Sequence, residues 1–406
     1  MRARFHAAWC AVRQEVGADQ PQQRGRRGVA LILVLMVLAI MAAFTTEYHY
    51  KSYIRLHVAS NLRDEVVAYY HARSAMEVAR LVIKSQNVAD NMLNAMAAFV
   101  PNIRNQNIEL WTFACEFANA FCTGELKLMG KTFFNFEGMG GVGVEEGGAC
   151  GCRAKPEDGA ININRVDSIQ DKNQLFSELY RELVRFREEP LTDVREIDEE
   201  TAELVLNIID WADPDTQRSD LVAGRLQDGI QGEGGNYALG VQAKDAKFDT
   251  LAELQLVEGM TRDLYCQISD KLTPYATRKL NVNTAQLSTL RAILCESAAN
   301  QADTCYGTGA GQLPVMDYAL YCMDMCRTLR QSLMSPGFGN IQSFLQFFSR
   351  LPWGPRPQFG NQLQQRIGVK SRVIRVETMG SSFGSNRGLT AVIDTSTGDY
   401  VYWREH

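Results

Sequence analysis

Between residues 72 and 405 the chain contains no histidine. The five it has are His6, His49, His57, His71 and His406. A serine, cysteine or zinc hydrolase built on an imidazole would have to borrow one from the N-terminal stretch or the last residue, which argues against that chemistry. From Val29 to Val100 there is neither glycine nor proline, so nothing in that stretch breaks a helix. No Cys-x-x-Cys pair is matched by a second, which argues against a zinc ribbon. No phosphate loop, nucleotide fingerprint or nucleophile motif is visible. Positive charge is scarce after the first residues. Residues 1–28 hold six arginines against Glu15 and Asp19, yet the whole chain has a formal net charge of −5. The body is therefore acidic, which argues against nucleic-acid binding.

What is present begins at the N-terminus. The run Val29 to Phe44, VALILVLMVLAIMAAF, carries no charge and follows Arg24, Arg26, Arg27 and Gly28. At ~1.5 Å per residue it spans roughly 24 Å, slightly short of a ~30 Å hydrocarbon core, and Thr45 and Thr46 extend it. The arginines keep residues 1–28 cytoplasmic and send the body outward. Three readings compete. A secretory signal peptide needs a small-x-small site after the run, but Ala42-Ala43-Phe44 leads into more helix. A plain signal anchor fits the hydropathy equally well. A third reading places cleavage before the run, between Gly28 and Val29, and keeps the run in the mature chain.

The downstream pattern favours the third. Val58, Leu62, Val66, Tyr69, Met76 and Ile83 recur at helical spacing, with Arg55, Arg63, Asp64, Arg73 and Lys84 among the rest. The expectation is one unbroken helix to about Ser85, ~85 Å long, whose second half docks on a globular domain. The segment RGRRG–VALILVLMVLAIMAAFTTEY resembles the processing site and first helix of type IV pilins and type II secretion pseudopilins. That resemblance implies a prepilin peptidase that cuts after Gly28 and methylates Val29. Most of that family carries glutamate at the fifth mature position, where this chain has Leu33. The minor pseudopilin K is the member that usually lacks it. A glutamate in lipid is costly unless it pairs with a neighbour's N-terminal amine. A subunit at a fibre tip has no neighbour above it, so its absence suits a cap.

The body reads as short elements. Glu125 to Leu128 and Lys131 to Phe136 alternate as strands, ahead of a glycine-rich zone from Gly138 to Gly151. Ile161-Asn162-Ile163-Asn164 returns as Leu280-Asn281-Val282-Asn283, a weak internal repeat. Asn283 is the expected N-cap of a helix from Gln286 to Cys295. Thr250 and Glu253 form another capping box, and two short helices are expected to join at Glu258-Gly259-Met260-Thr261. LAELQLVEGMTRDLYCQISDKLT and KLNVNTAQL resemble the helical domain that pseudopilin K carries inserted in its pilin fold. Similar short helices occur in helix-hairpin-helix DNA modules, but in residues 161–370 acidic side chains outnumber basic ones, and Gly259 stands beside Glu258. Val373–Glu377, Leu389–Ile393 and Tyr400–Trp403 read as a closing antiparallel meander.

The expected fold class is α+β, a type IV pilin-like fold. It has a long N-terminal transmembrane helix on a small antiparallel sheet and a large, mostly α-helical inserted domain. The expected divisions are a leader 1–28, a membrane half-helix 29–48, an amphipathic helix and early pilin domain 49–160, the insertion 161–370 and the meander 371–406. Of the ten cysteines, Cys10 lies in the leader, which leaves an odd number in the mature chain and so at least one free thiol. The connectivity is open at this point.

Asp210, Asp213 and Asp215 fall within six residues, a density of oxygen donors that suits Ca²⁺. Asp220, Asp228 and Glu233 follow as possible further ligands, and the competing reading is a polar helix end turning at Pro214. Pseudopilin K commonly carries a similar Asp-Trp-x-Asp-x-Asp stretch and binds calcium, so the resemblance supports the same ion here. The run Glu188 to Glu203 reads as a solvated helix face, and Phe344, Phe347, Phe348 and Trp353 as core. The expected function is that of a non-enzymatic minor pseudopilin that starts and caps the tip of a periplasmic pseudopilus. It would be anchored by one helix in inner-membrane lipid and partnered by the minor pseudopilins I and J, with no nucleic acid. A DNA-binding membrane protein, a membrane-anchored enzyme without a histidine, and a minor pilin of a related type IV pilus are the alternatives.

Overall fold

The computed structural model describes residues 27–96, 109–128, 131–135, 148–186, 198–231, 243–306, 314–332, 337–352 and 354–406. Most of the leader, part of the glycine-rich zone, Trp353 and Glu233 lie outside the described residues. The chain divides into two compact units, Met1–Arg63 and Asp64–His406.

Helix α1 runs without interruption over Arg27–Lys84, 58 residues, as the absence of glycine and proline requires. In the first unit its apolar residues are bare: Val29, Leu31, Ile32, Leu33 and Phe44 are all more than half exposed. Among the described residues this is the one helix long and apolar enough to cross a membrane.

In the second unit the helix packs on a sheet, and the buried face follows hydrophobic spacing only in part: Met76 and Ile83 of the expected stripe are in the core, with Tyr69 against it. Val66 is exposed, and the buried positions are Ala68, Ala72, Ala75, Met76, Ala79 and Ile83. Val58 and Leu62, in the first unit, are exposed too. The reason is distance. Strand β10 (Val373–Ser382) passes so close that a Cβ built on Gly380 would collide with the Ala68 carbonyl and the Ala72 amide. Only alanine on the helix and glycine on the strand allow that approach.

The sheet has the order β12-β11-β10-β3, from β3 (Gly148–Pro156), β10, β11 (Ser385–Asp394) and β12 (Tyr400–Glu405), antiparallel throughout. The expected meander is thus present, and β3 joins its edge. Strands β1 (Glu125–Leu128) and β2 (Lys131–Asn135) form a separate two-stranded sheet instead of joining it. A short helix, Ala114–Thr123, is stapled to β3 by the disulfides Cys115–Cys152 and Cys122–Cys150. The core beneath contains Met76, Ile83, Trp111, Ile374, Val376, Leu389 and Ile393.

Between adjacent strands β3 and β10 lies a helical body made of two similar modules. The first opens with β4 (Ile161–Asn162) and closes with β7 (Leu272–Thr273), which pairs with it in parallel. The second opens with β8 (Leu280–Asn281) and closes in the same way with β9 (Ile367–Gly368). Each encloses its own core, one from Ile161 to Leu272 and the other from Leu280 to Ile367.

The weak repeat in the sequence is the opening of each module. Asn162 Oδ1 accepts from the Asn164 amide at 2.9 Å, as Asn281 Oδ1 does from the Asn283 amide at 2.9 Å. Asn283 is not the N-cap that its sequence position suggests. Its side chain bonds the Phe338 amide and the Phe338 and Val369 carbonyls, while Gln286 takes the cap position of the helix Leu287–Ser297. Two residues beyond Phe248 and Phe338, capping boxes Thr250/Glu253 and Asn340/Ser343 start the next helical turn of each module. The two short helical segments expected around Gly259 are Leu251–Leu256 and Arg262–Ile268. Phe344 and Phe348 are fully buried, as expected for core.

One buried carboxylate closes the neck of the insertion. Asp158 Oδ2 accepts from the Arg372 and Val373 amides at 2.6 and 2.8 Å, while Oδ1 accepts from the Thr277 amide and hydroxyl at 2.9 and 2.6 Å. The start of the insertion, its end and the link between modules therefore meet at Asp158. Arg366 joins the modules elsewhere, reaching Glu178 at 2.6 Å and Glu296 at 2.8 Å, with Arg165 on the other Glu178 oxygen at 2.8 Å.

Candidate functional site

Helix Glu199–Ala212 brings Asp210 to its last turn, with Asp213 as its C-cap and Asp215 in the turn beyond Pro214. Asp198 caps the start by accepting from the Thr201 amide at 3.1 Å. Asp210 and Asp213 are buried and Asp215 is partly exposed. The sequence reading did not anticipate the hairpin of β5 (Gln217–Val222) and β6 (Arg225–Gln231) or the lysine that faces the acids. The Ser219 amide, on the first strand of the hairpin, donates to both Asp210 oxygens at 3.0 and 3.3 Å.

Lys172 comes from helix Ile169–Leu183, whose N-cap Ser168 accepts from the Asp171 amide. Its ammonium sits 2.7 Å from Asp213 Oδ2 and 3.2 Å from Asp215 Oδ2, and the lysine itself is buried. Lys172 lies far upstream of the acids in sequence, and no local spacing marks it as their partner.

The charge is not fully balanced. Burial pushes Asp213 up to about 7, against the pull of Lys172. Burial likewise pushes Asp210 up to about 6, against its bonds from Ser219. Among the described residues Asp213 Oδ1 is buried without a hydrogen-bond partner. Two desolvated carboxylates facing one ammonium fit further positive charge. Asp213 and Asp215 are the pair that could share it, and Asp215 lines a cleft of about 340 Å³ together with Ser168, Lys172, Pro214 and Lys247. Asp220 is exposed on the hairpin, while the Asp228 side chain and Glu233 lie outside the described residues. Among the described residues no group of three or more His, Cys, Asp or Glu side chains is placed to hold a metal ion.

At the processing position, Gly28 and Val29 lie on the first turn of α1. Val29 is exposed, and a Cβ on Gly28 would meet nothing within 4 Å among the described residues, whose packing makes no demand for glycine there. Of the described histidines, His49 and His57 lie on α1 against Tyr48 and Tyr53, His71 lies 3.0 Å from the Ser381 carbonyl, and the His406 backbone pairs with Gly388.

No family model matches the chain, and no curated protein matches it. Among solved structures it is similar to a chain in the crystal structure of the GspK-GspI-GspJ complex of the enterotoxigenic Escherichia coli type 2 secretion system. The match covers 64% of this chain and 80% of that one, at 14% identity and a TM-score of 0.41.

Proposed function

We propose that this chain is a minor pseudopilin of a type II secretion system, an assembly protein that starts and caps the tip of a short periplasmic fibre. The observation that carries the reading is the division of labour along α1. Its uncharged first turns, from Val29 to Phe44, are bare, and its later turns are fixed to a sheet through an alanine face. A bare apolar helix of that length needs lipid or neighbouring helices around it. The arginines at 24, 26 and 27 orient it with the leader in the cytoplasm and the body in the periplasm. Three disulfides suit an exported body.

Processing belongs to the same proposal. A prepilin peptidase would cut between Gly28 and Val29 and methylate the new terminus. The glycine is then explained by the peptidase, since packing among the described residues does not require it. Leu33 in place of the usual glutamate, and a helical body held between two adjacent strands, both suit a terminal subunit over one repeated along a fibre. The minor pseudopilins I and J are the proposed partners. Calcium is proposed at Asp213 and Asp215, where it would take the place of the Lys172 ammonium.

The experiment is intact mass and N-terminal sequencing of the protein from its own membranes, followed by affinity purification of the full chain in detergent. A methylated chain beginning at Val29 that brings down pseudopilins I and J is the expected result. A chain that keeps residues 1–28 would reduce α1 to an ordinary signal anchor. Correct processing without either partner would remove the tip role.

A further inference from the structure

Six of the described cysteines are bridged, the third pair being Cys295–Cys305, and three are free: Cys266, Cys322 and Cys326. Two of the free ones share a helix. Val315–Ser332 packs its inner side, with Met316, Ala319, Leu320 and Met323, into the second module's core. Cys322, Met325 and Cys326 lie on the flank beside that buried side at positions i, i+3 and i+4, which places them on one face. Cys322 is half-buried, Cys326 is exposed and Met325 is 53% exposed.

The spacing decides what this face can do. Neighbouring side chains at i and i+4 have Cβ atoms about 5–6 Å apart. A disulfide needs about 3.5–4.5 Å, so the two thiols cannot close on each other while the helix stays wound. Two metal–sulfur bonds of about 2.3 Å, as in zinc thiolates, set sulfurs at most ~4.6 Å apart, which side chains on that spacing can reach. Met325, one turn from Cys322, adds a thioether to the same face. Two thiolates and a thioether are soft donors, and the described residues add no cluster of histidine or carboxylate to make a four-coordinate zinc site.

We propose that Cys322, Met325 and Cys326 form a surface site for a soft monovalent cation, Cu(I). Each thiol that ligates releases its proton to solvent, so the filled site carries two thiolates on one Cu⁺ and a net charge of −1. Copper enters and stays as Cu(I), and no electron is transferred. The site is independent of α1, of Lys172 and of the pseudopilin reading.

The test uses the full chain in detergent, handled without oxygen, with Cu(I) presented as its bicinchoninate complex. The expected result is that one copper per chain leaves the chromophore and that copper shields Cys322 and Cys326, but not Cys266, from alkylation mapped by mass spectrometry. Cys322→Ser with Cys326→Ser should abolish this uptake, Met325→Leu should weaken it and Cys266→Ser should leave it unchanged. The mapping needs no variant and decides the matter even if the double variant folds poorly. Equal alkylation of all three cysteines with and without copper overturns the proposal. So does equal uptake by a folded double variant, stronger shielding by Zn²⁺ than by Cu(I), or a native chain in which Cys322 and Cys326 are already disulfide-bonded.

Discussion

Asn164 and Asn283 occupy equivalent places in two successive modules and make matching hydrogen bonds. Each carboxamide oxygen accepts from a phenylalanine amide, Phe248 at 2.7 Å or Phe338 at 2.8 Å. Each carboxamide nitrogen donates to that phenylalanine's carbonyl and to the residue just past the closing strand, Pro274 at 3.0 Å or Val369 at 2.8 Å. One side chain thus ties the opening strand, the capping box and the closing strand of its module together.

Replacing either asparagine with alanine should have the same consequence in its own half. Three bonds are lost and backbone groups are left bare, at about 1–3 kcal/mol for each buried group that finds no water. Hydrogen exchange should show faster opening around β4 and β7 in Asn164→Ala, and around β8 and β9 in Asn283→Ala. Loss of protection spread evenly over both modules would contradict their separate closure.

Gly380→Ala should loosen α1 from the sheet. The added methyl meets the Ala68 carbonyl and the Ala72 amide, both backbone, so helix and strand must separate. Overpacking of this kind costs about 1–3 kcal/mol. The lower melting temperature should come with faster proteolysis near Ala72. Gly384→Ala, where a Cβ has no neighbour within 4 Å but φ is +95°, would cost stability through the backbone alone and leave the helix protected.

Lys172→Met should destabilise the body by about 3–5 kcal/mol above about pH 7, where Asp213 is ionised and loses its cation, and by less below it, where the carboxyl holds a proton. Calcium should offset part of that loss, since the variant leaves Asp213 and Asp215 open to it. Melting curves of native and variant chains with and without calcium separate the cases. No calcium effect on either would remove the ion from this site.

Acidification should stabilise the protein between about pH 7 and pH 4. Burial holds Glu109 up at about 7, against the donated Ser371 amide, and Asp213 also lies near 7. A carboxyl raised in the folded state holds its proton more tightly there than in the unfolded chain. Its stability contribution is therefore complete below the ordinary carboxylate range and lost as pH rises through about 7. Glu109→Gln should flatten that part of the stability profile, and an unchanged profile would assign the dependence elsewhere.

Most of the architecture was legible because it rests on local signals. An uninterrupted helical pattern has no other outcome, and alternating runs with glycine turns specify hairpins. The repeat was visible as Asn162 and Asn164 against Asn281 and Asn283, although a capping role for Asn283 was the wrong inference. Its side chain is taken by residues far along the chain, beyond reach of local spacing. The buried face of α1 was read only in part: Met76 and Ile83 are buried as expected, but the alanines beside them were passed over for a different reason. Hydropathy rewards large residues, so an alanine face chosen for closeness to Gly380 carries little signal. At the acid cluster the three aspartates were evident, while Lys172 was not, because only the packing of one helix against the turn after another brings it there.

Each module begins and ends on two strands lying side by side. A unit whose two ends are neighbours can be copied in tandem, or grafted into a host chain, without stretching the segments on either side. Growth of this body by duplication then needs only a short connecting piece, such as the one that carries Thr277. The sheet strands flanking the body are themselves adjacent, so the host accepts one module or two at the same doorway. An evolutionary record of intermediates with a single module is what such a construction would leave behind.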